Sequence, residues 1–323
     1  MSVSELSPLV RSTRSLLLGG WTERRISSAV RAGELHVVRR GSYLAAADAA
    51  DLWPEARHLA HVIAVVRDSA GGAALSHVSA AVVWGLPLYR YRPQRVHMTT
   101  EADCRISSGP DVMRHVAPLP ASDVVLREGI RTTTLSRTVF DLMRTLPPEA
   151  AVSCADAAER IIALRVREWD EDAVHAWRRA MAERIAAAIG ARGVKAARRL
   201  AQFADGRAQL PGESVSRLQI VRLGFHSPRL QAPVAGPGGG MYFVDLALDD
   251  VAAFGEFDGK GKYLDEALTR GIPLEQVLLE EKQREDWIRG TTQRRLARWG
   301  DEHITSPQVL AARLRSFNIT PPL

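Results

Sequence analysis

The residues of this sequence with the clearest chemical potential are three acidic side chains in its last third. Asp245 lies in one alternating apolar run, MYFVDLAL, and Glu256 and Asp258 lie in a second one, VAAFGEFD. Asp249 and Asp250 separate the two runs. A two-residue gap between alternating apolar runs predicts a β-hairpin.

The register of this hairpin decides whether its acids can share a ligand. A two-residue turn pairs Leu248 with Val251 and Asp245 with Phe254. Asp245 and Glu256 then lie on one face as diagonal neighbours, roughly 7–8 Å apart. Two carboxylates on an apolar face repel each other, and a bound Mg²⁺ removes that conflict. Asp245 and Glu256 are therefore the predicted metal ligands, although a one-residue bulge would place them on opposite faces.

Two more acids extend this cluster. Asp258 lies on the same predicted face, and Glu213 begins an amphipathic segment that predicts a helix. The motifs GESVSRL, YFVDLAL, GEFDGKGKY, EKQRED and RRLARWGDEHI together resemble the PD-(D/E)XK nuclease superfamily. The resemblance covers about 205–315 and is closest to the branch near the very-short-patch-repair (Vsr) endonucleases.

The resemblance implies a role for each acid. Glu213 would be the helix glutamate, Asp245 the aspartate that anchors the metal, and Glu256 the second metal ligand. Asp258 occupies the position of the superfamily's lysine, which the repair-endonuclease branch also lacks. The missing positive charge would come from one of two nearby lysines, Lys260 or Lys262.

The implied reaction is hydrolysis of DNA phosphodiester bonds with Mg²⁺ or Mn²⁺, in defence or repair. The predicted catalytic residues are Glu213, Asp245, Glu256, Asp258 and Lys262. The residues predicted to clamp the DNA phosphates are Lys260, Lys282 and Arg284. The alternative is a non-catalytic regulator or antitoxin with a degenerate nuclease fold, in which the acids serve structure.

The first 43 residues carry a concentration of positive charge, with seven arginines against three acids. The pattern predicts a helix over 8–18, a glycine turn, a second helix capped by Thr22, and a hairpin with a basic tip. This order is typical of a winged helix-turn-helix, whose second helix enters a major groove. The predicted DNA contacts are Arg24, Arg25, Ser28, Arg31, Arg39 and Arg40. The alternative is a helical packing unit with solvated arginines.

Three segments of the first half carry a second resemblance. They are LLLGGWTERRISSAVRAGELHVVRRGSY, ALSHVSAAVVWGLP and GIRTTTLSRTVFDL, and they are similar to AbiEi-like antitoxins of type IV toxin–antitoxin systems. The resemblance implies operator DNA and a cognate toxin protein as partners. Arg137 and Asp141, one helical turn apart, are predicted to form a structural ion pair.

Composition sets the class of protein. The chain has 323 residues, 46% hydrophobic and 25% charged, with a formal charge of +6 and two cysteines. These values favour a folded, cytoplasmic protein without a disulfide framework or a membrane span. His77, His97 and His115 are too scattered in sequence to be predicted as ligands.

We therefore expect a multidomain α+β protein with four segments. They are a winged helix-turn-helix at 1–48, a mixed α/β domain at 49–150, a helical connector at 151–206, and a restriction-endonuclease-like α/β domain at 207–323.

Overall fold

The computed structural model describes residues 1–69, 71–101, 108–165, 168–259, 271 and 273–322, which form a mixed α/β protein with two compact units. The first unit comprises Met1–Ala158 and Asp170–Phe203, and the second comprises Glu159–Trp169 and Ala204–Leu323. The finer division into four segments stays a prediction. Within the described part of the chain, no helix has the length and apolar character needed to cross a membrane.

Helices and strands alternate along the chain. The helices are α1 Val3–Leu6, α2 Thr13–Leu18, α3 Glu23–Arg31, α4 Ala46–Ala50, α5 Pro54–Arg67, α6 His77–Trp84, α7 Leu135–Thr145, α8 Pro148–Ala163, α9 Glu171–Ala187, α10 Val194–Phe203, α11 Pro211–Arg222, α12 Leu274–Thr292 and α13 Pro307–Arg315. The strands are β1 Arg11–Ser12, β2 Leu35–Arg39, β3 Ser42–Ala45, β4 Ala74–Leu75, β5 Val96–Thr100, β6 Val112–Val116, β7 Val124–Arg127, β8 Ile130–Thr133, β9 Leu164–Arg165, β10 Glu168–Trp169, β11 Arg229–Ala235, β12 Met241–Leu248, β13 Ala253–Phe257 and β14 Arg295–Trp299.

The N-terminal segment packs α2 and α3 against a three-stranded sheet of order β1-β3-β2. Its core joins Leu16, Ile26, Ala29 and Leu35. The predicted hairpin is confirmed, because β2 and β3 pair in antiparallel fashion. The predicted helix over 8–18 is wrong in its first half: it begins at Thr13, where the hydroxyl of Ser12 accepts the N–H of Ser15 at 3.0 Å. The residues just before it, Arg11–Ser12, instead pair with β3.

The rest of the first unit contains a five-stranded mixed sheet of order β6-β5-β4-β8-β7. The predicted pair on α7 is confirmed, since Arg137 Nε donates to Asp141 Oδ2 at 2.8 Å. Arg137 also donates to Asp123, which lies 2.6 Å from Arg184. Burial alone would raise the pKa of Asp123, but hydrogen bonds from the two arginines outweigh it and lower the pKa. Asp123 therefore joins α7 and α9 as a structural anion.

The second unit contains a four-stranded sheet of order β11-β12-β13-β14. The first two pairings are antiparallel, and β13 pairs with β14 in parallel. A parallel pair needs a crossover, and α12 belongs to the segment that connects these two strands. Ile288 of α12 packs with Phe254 of β13 and Leu296 of β14, so this helix covers one face of the sheet.

The register of the β12–β13 hairpin differs from the prediction by two residues. Leu248 pairs with Ala253, not with Val251, because the turn runs from Asp249 through Ala252. Ala252 has a φ of 48°. Hydrogen bonds from Arg294 and Arg229 to Asp249 hold this turn and keep the pKa of Asp249 below its usual value. A turn fixed by distant arginines leaves no signal in the local sequence pattern.

A glycine in α11 allows this helix to approach β13 closely. A Cβ atom at Gly212 would lie 2.0 Å from the Phe257 ring. We therefore expect Gly212→Ala to lower the free energy of unfolding by about 1–3 kcal/mol, through overpacking. The midpoint of urea unfolding measures this change.

Gly290 in α12 provides the matched control, since a Cβ there would meet nothing within 4 Å. Gly290→Ala should stabilise the protein by up to about 1 kcal/mol, from helix propensity alone. Equal midpoints for the two variants would contradict this account of the contact between α11 and β13.

Candidate functional site

Helix α3 presents a basic face to solvent. The hydroxyl of Thr22 accepts the N–H of Arg25 at 3.2 Å and so caps the helix as predicted. Ile26 and Ala29 are buried in the core described above. At about 100° per residue, Arg24, Ser28 and Arg31 fall on the opposite side, and all three are exposed. The burial of Ile26 and Ala29 thus determines which side chains of α3 face solvent.

The remaining predicted DNA contacts have different surroundings. The guanidinium of Arg25 lies over the Trp21 ring, 4.1 Å from its centroid, and stays exposed. Arg40 is exposed at the turn of the β2–β3 hairpin. Arg39 instead forms ion pairs with Asp111 at 2.9 Å and Asp68 at 3.2 Å. Arg39 is therefore engaged within the protein, and it is the one predicted DNA contact that the structure draws away from this face.

The side-chain amide of Gln231 lies between two of the predicted catalytic acids, Glu213 and Asp245. Glu213 of α11 is buried, and its Oε2 accepts the N–H of Gln209 at 2.9 Å. Nε2 of Gln231 lies 3.4 Å from the same oxygen and 3.5 Å from Oδ1 of Asp245. The other oxygen of Asp245 accepts the N–H of Phe257 at 2.9 Å. Glu213 and Asp245 are thus brought together, but each also satisfies a backbone donor of the fold.

Glu256 is engaged by two arginines. It is buried on β13, with Oε1 2.6 Å from Nη2 of Arg284 and Oε2 2.7 Å from Nη2 of Arg298. Arg284 lies on α12 and also bonds Glu281, while Arg298 lies on β14. Burial opposes the charge of Arg284, but the hydrogen bond and the charge of Glu256 outweigh it and raise the pKa of Arg284. Both oxygens of Glu256 are therefore occupied within the protein.

This arrangement does not fit the predicted pair of metal ligands. Among the described residues, Glu213, Asp245, Glu256 and Asp258 provide no group of three whose ligand atoms all lie within 4.8 Å of one another. A cation bound by Asp245 and Glu256 would also have to displace two guanidinium groups from Glu256.

The other predicted residues lie around this cluster. Asp258 is half-buried, and its N–H donates to the carbonyl of Trp299 at 2.9 Å. Lys282 is exposed on α12, whereas Arg284, predicted as a phosphate clamp, binds Glu256 and the carbonyl of Phe243. Lys260 and Lys262 lie outside the described residues.

Sequence reasoning missed Gln231. Its φ of 47° interrupts the regular geometry of β11 next to Asp245. The pairing of β11 with β12 places the two side by side, between the pairs Leu230–Leu246 and Ala232–Val244. The signal that could have found this neighbour is the pairing of β11 with β12, because neither strand alone points to it.

Comparisons with known proteins give a partial similarity. The chain matches no family model. Over 116 residues it is 35% identical to two uncharacterised proteins of Mycobacterium tuberculosis, MT2308 of strain CDC 1551 / Oshkosh and Rv2248 of strain ATCC 25618 / H37Rv. The matched segment spans 36% of this chain and 43% of each relative. The two family resemblances therefore stay predictions.

The Glu256 cluster generates a stability prediction. Glu256→Gln removes the buried carboxylate that contacts Arg284 and Arg298, although Glu281 still contacts both arginines. We therefore expect a loss of about 1.5–3 kcal/mol in the free energy of unfolding. Glu275→Gln, an exposed position on α12, should change it by less than about 0.5 kcal/mol. Chemical denaturation compares the two. A Glu256→Gln variant as stable as its control would show that the arginines do not depend on this acid.

Proposed function

We propose that this chain is a DNA-binding protein that acts as a non-catalytic regulator of the antitoxin type. The basic face of α3, formed by Arg24, Ser28 and Arg31 opposite the buried Ile26 and Ala29, is the observation that carries the proposal. Helix α3 would enter a major groove as the recognition helix of a winged helix-turn-helix.

The neighbouring elements support this orientation. In helix-turn-helix proteins the second helix reads base edges, and flanking elements contact phosphates. Arg40, exposed at the hairpin turn after α3, is suited to such a phosphate contact. Strand β3, which follows this turn, contributes Tyr43, and Tyr43 packs against the same core as α3. One core thus sets the positions of both basic elements.

The second unit supports a nuclease-type scaffold. Helix α11 precedes a sheet with two antiparallel pairings and one parallel pairing, and α12 lies in sequence between the parallel strands. This order agrees with the predicted restriction-endonuclease-like domain. In the proposed role the scaffold binds nucleic acid or a cognate toxin protein, because the predicted metal ligand Glu256 is held by Arg284 and Arg298.

A metal-dependent endonuclease is the second candidate. The meeting of Glu213 and Asp245 at the Gln231 amide favours it, because two carboxylates near one polar atom are the start of a cation site. The same contacts also have structural explanations, since each acid accepts a backbone N–H. A DNA cleavage assay distinguishes the non-catalytic regulator from the endonuclease.

The first test concerns DNA affinity. Replacing Arg24, Arg31 and Arg40 together by Ala should weaken binding to duplex DNA and flatten the dependence of log K on log salt. The slope should fall by about 0.9 for each phosphate that the variant no longer neutralises. Fluorescence anisotropy at several salt concentrations measures both effects.

The control removes the same number of charges from two other helices of the first unit. Arg179, Arg198 and Arg199 are exposed on α9 and α10, and their joint replacement by Ala should leave the slope as it is. Equal slopes for the two triple variants would mean that α3 and the hairpin do not contact DNA.

The second test concerns cleavage. With Mg²⁺ or Mn²⁺, the wild-type protein should nick supercoiled DNA no faster than Asp245→Asn, because the predicted metal ligands are engaged within the fold. Agarose gels measure the conversion to nicked circles. Nicking that disappears in Asp245→Asn but persists in Asp286→Asn, an exposed position on α12, would establish the endonuclease instead.

A further inference from the structure

Three histidines that are distant in sequence meet in the first unit. His77 begins α6, His97 lies on β5 and His115 lies on β6. One ring nitrogen from each can be chosen so that all three nitrogens lie within 4.8 Å of one another. Among the described residues, this is the one group of three potential ligands whose ligand atoms all lie within that distance of one another. All three ligands are imidazoles.

The sheet topology produces this meeting. Strands β5 and β6 are parallel, with His97 opposite Met113 and Thr99 opposite His115. Because side chains alternate, His97, Thr99 and His115 share one face of the sheet. The N–H of Ser76 donates to the carbonyl of His97, which places the start of α6 beside the same strand.

The rings are in direct contact. The rings of His77 and His115 stack with centroids 3.9 Å apart, and the His97 ring lies 5.0 Å from that of His115. Nε2 of His115 lies 3.0 Å from Nδ1 of His97. At that distance one nitrogen donates and the other accepts, and a change of tautomer that moves the proton to the far nitrogen of the donor ring turns both lone pairs toward each other.

Burial favours the neutral form of all three rings. Burial, together with the neighbouring histidines, lowers the pKa of His77 to about 2 and that of His97 to about 4. Burial also lowers the pKa of His115, and the charge of Arg95 adds to this effect. Neutral imidazoles are the form that binds metal ions.

A contact outside the cluster fixes the orientation of the His77 ring. Nδ1 of His77 lies 3.0 Å from the hydroxyl of Ser76, which leaves Nε2 of His77 to bind a ligand. His77 has a φ of 50°, a backbone conformation that is uncommon for residues other than glycine. The hydroxyl of Thr99 is fully buried without a hydrogen-bond partner in the described part of the chain. It lies on the face shared by His97 and His115, and so marks an unsatisfied polar position beside the rings.

We propose that His77, His97 and His115 bind one divalent transition-metal ion of the zinc class. Three imidazoles suit zinc, cobalt, nickel or copper, whereas magnesium and calcium prefer oxygen ligands. Three protein ligands would leave one position of a tetrahedral site for water or an anion. The ion joins β5, β6 and the start of α6, and therefore stabilises this part of the first unit.

The experiment uses full-length protein without a polyhistidine tag, stripped with a chelator and titrated with Co²⁺. We expect one equivalent per chain to give the visible absorption of tetrahedral cobalt, and Zn²⁺ to displace it. His97→Gln and His115→Gln should each weaken binding roughly 100-fold or more. Zn²⁺ should raise the melting temperature of the wild type but not of these variants.

His175→Gln, at an exposed position on α9, is the control and should bind like the wild type. Protection of wild-type histidines from diethylpyrocarbonate by Zn²⁺, mapped by mass spectrometry, avoids any variant that does not fold. Protection should fall on His97 and His115, the half-buried members of the cluster. No cobalt spectrum at one equivalent, unchanged binding in His97→Gln and His115→Gln, or protection at other histidines would overturn the proposal. Mg²⁺ should not compete.

Discussion

A buried carboxylate bound by two guanidinium groups links three elements of the second unit and constrains which other ligands this carboxylate can bind. Glu256 on β13 binds Arg284 on α12 and Arg298 on β14, so one acid joins the two parallel strands and the helix between them in sequence. Removing these charges from water is costly, and only close pairing offsets that cost. To hold a metal ion as well, this carboxylate would have to release two half-buried guanidinium groups, each of which also contacts Glu281. The same contact therefore supports the fold and opposes the predicted chemistry.

Two of the remaining acids, Glu213 and Asp245, are likewise engaged by groups of the protein itself. Glu213 accepts a backbone N–H before α11, Asp245 accepts one from β13, and Gln231 lies between them. These contacts give each acid a structural role in addition to any chemical one. Fold and activity are separable, because activity depends on the site and not on the order of the strands. The basic face of α3 owes its orientation instead to an apolar core in the other unit.

Local patterns in the sequence predicted local structure well. Thr22 as a helix cap, the β2–β3 hairpin and the Arg137–Asp141 pair are all confirmed, because each depends on neighbours a few residues apart. The β12–β13 register was wrong by two residues, since arginines far along the chain hold its turn. The engagement of Glu256, and of Arg39 with Asp68 and Asp111, could not be predicted for the same reason. The three histidines looked unrelated because only the pairing of β5 with β6 brings two of them to one face.

We propose that α3 and the following hairpin turn are the DNA contact of this chain. Hydrogen–deuterium exchange with and without a DNA duplex at low salt, in the presence of Mg²⁺, tests this claim most directly. The account predicts slower exchange on DNA binding for peptides within 21–41, whose apolar side is already packed. Protection confined to peptides within 209–259 and 274–299, with none in 21–41, would contradict it.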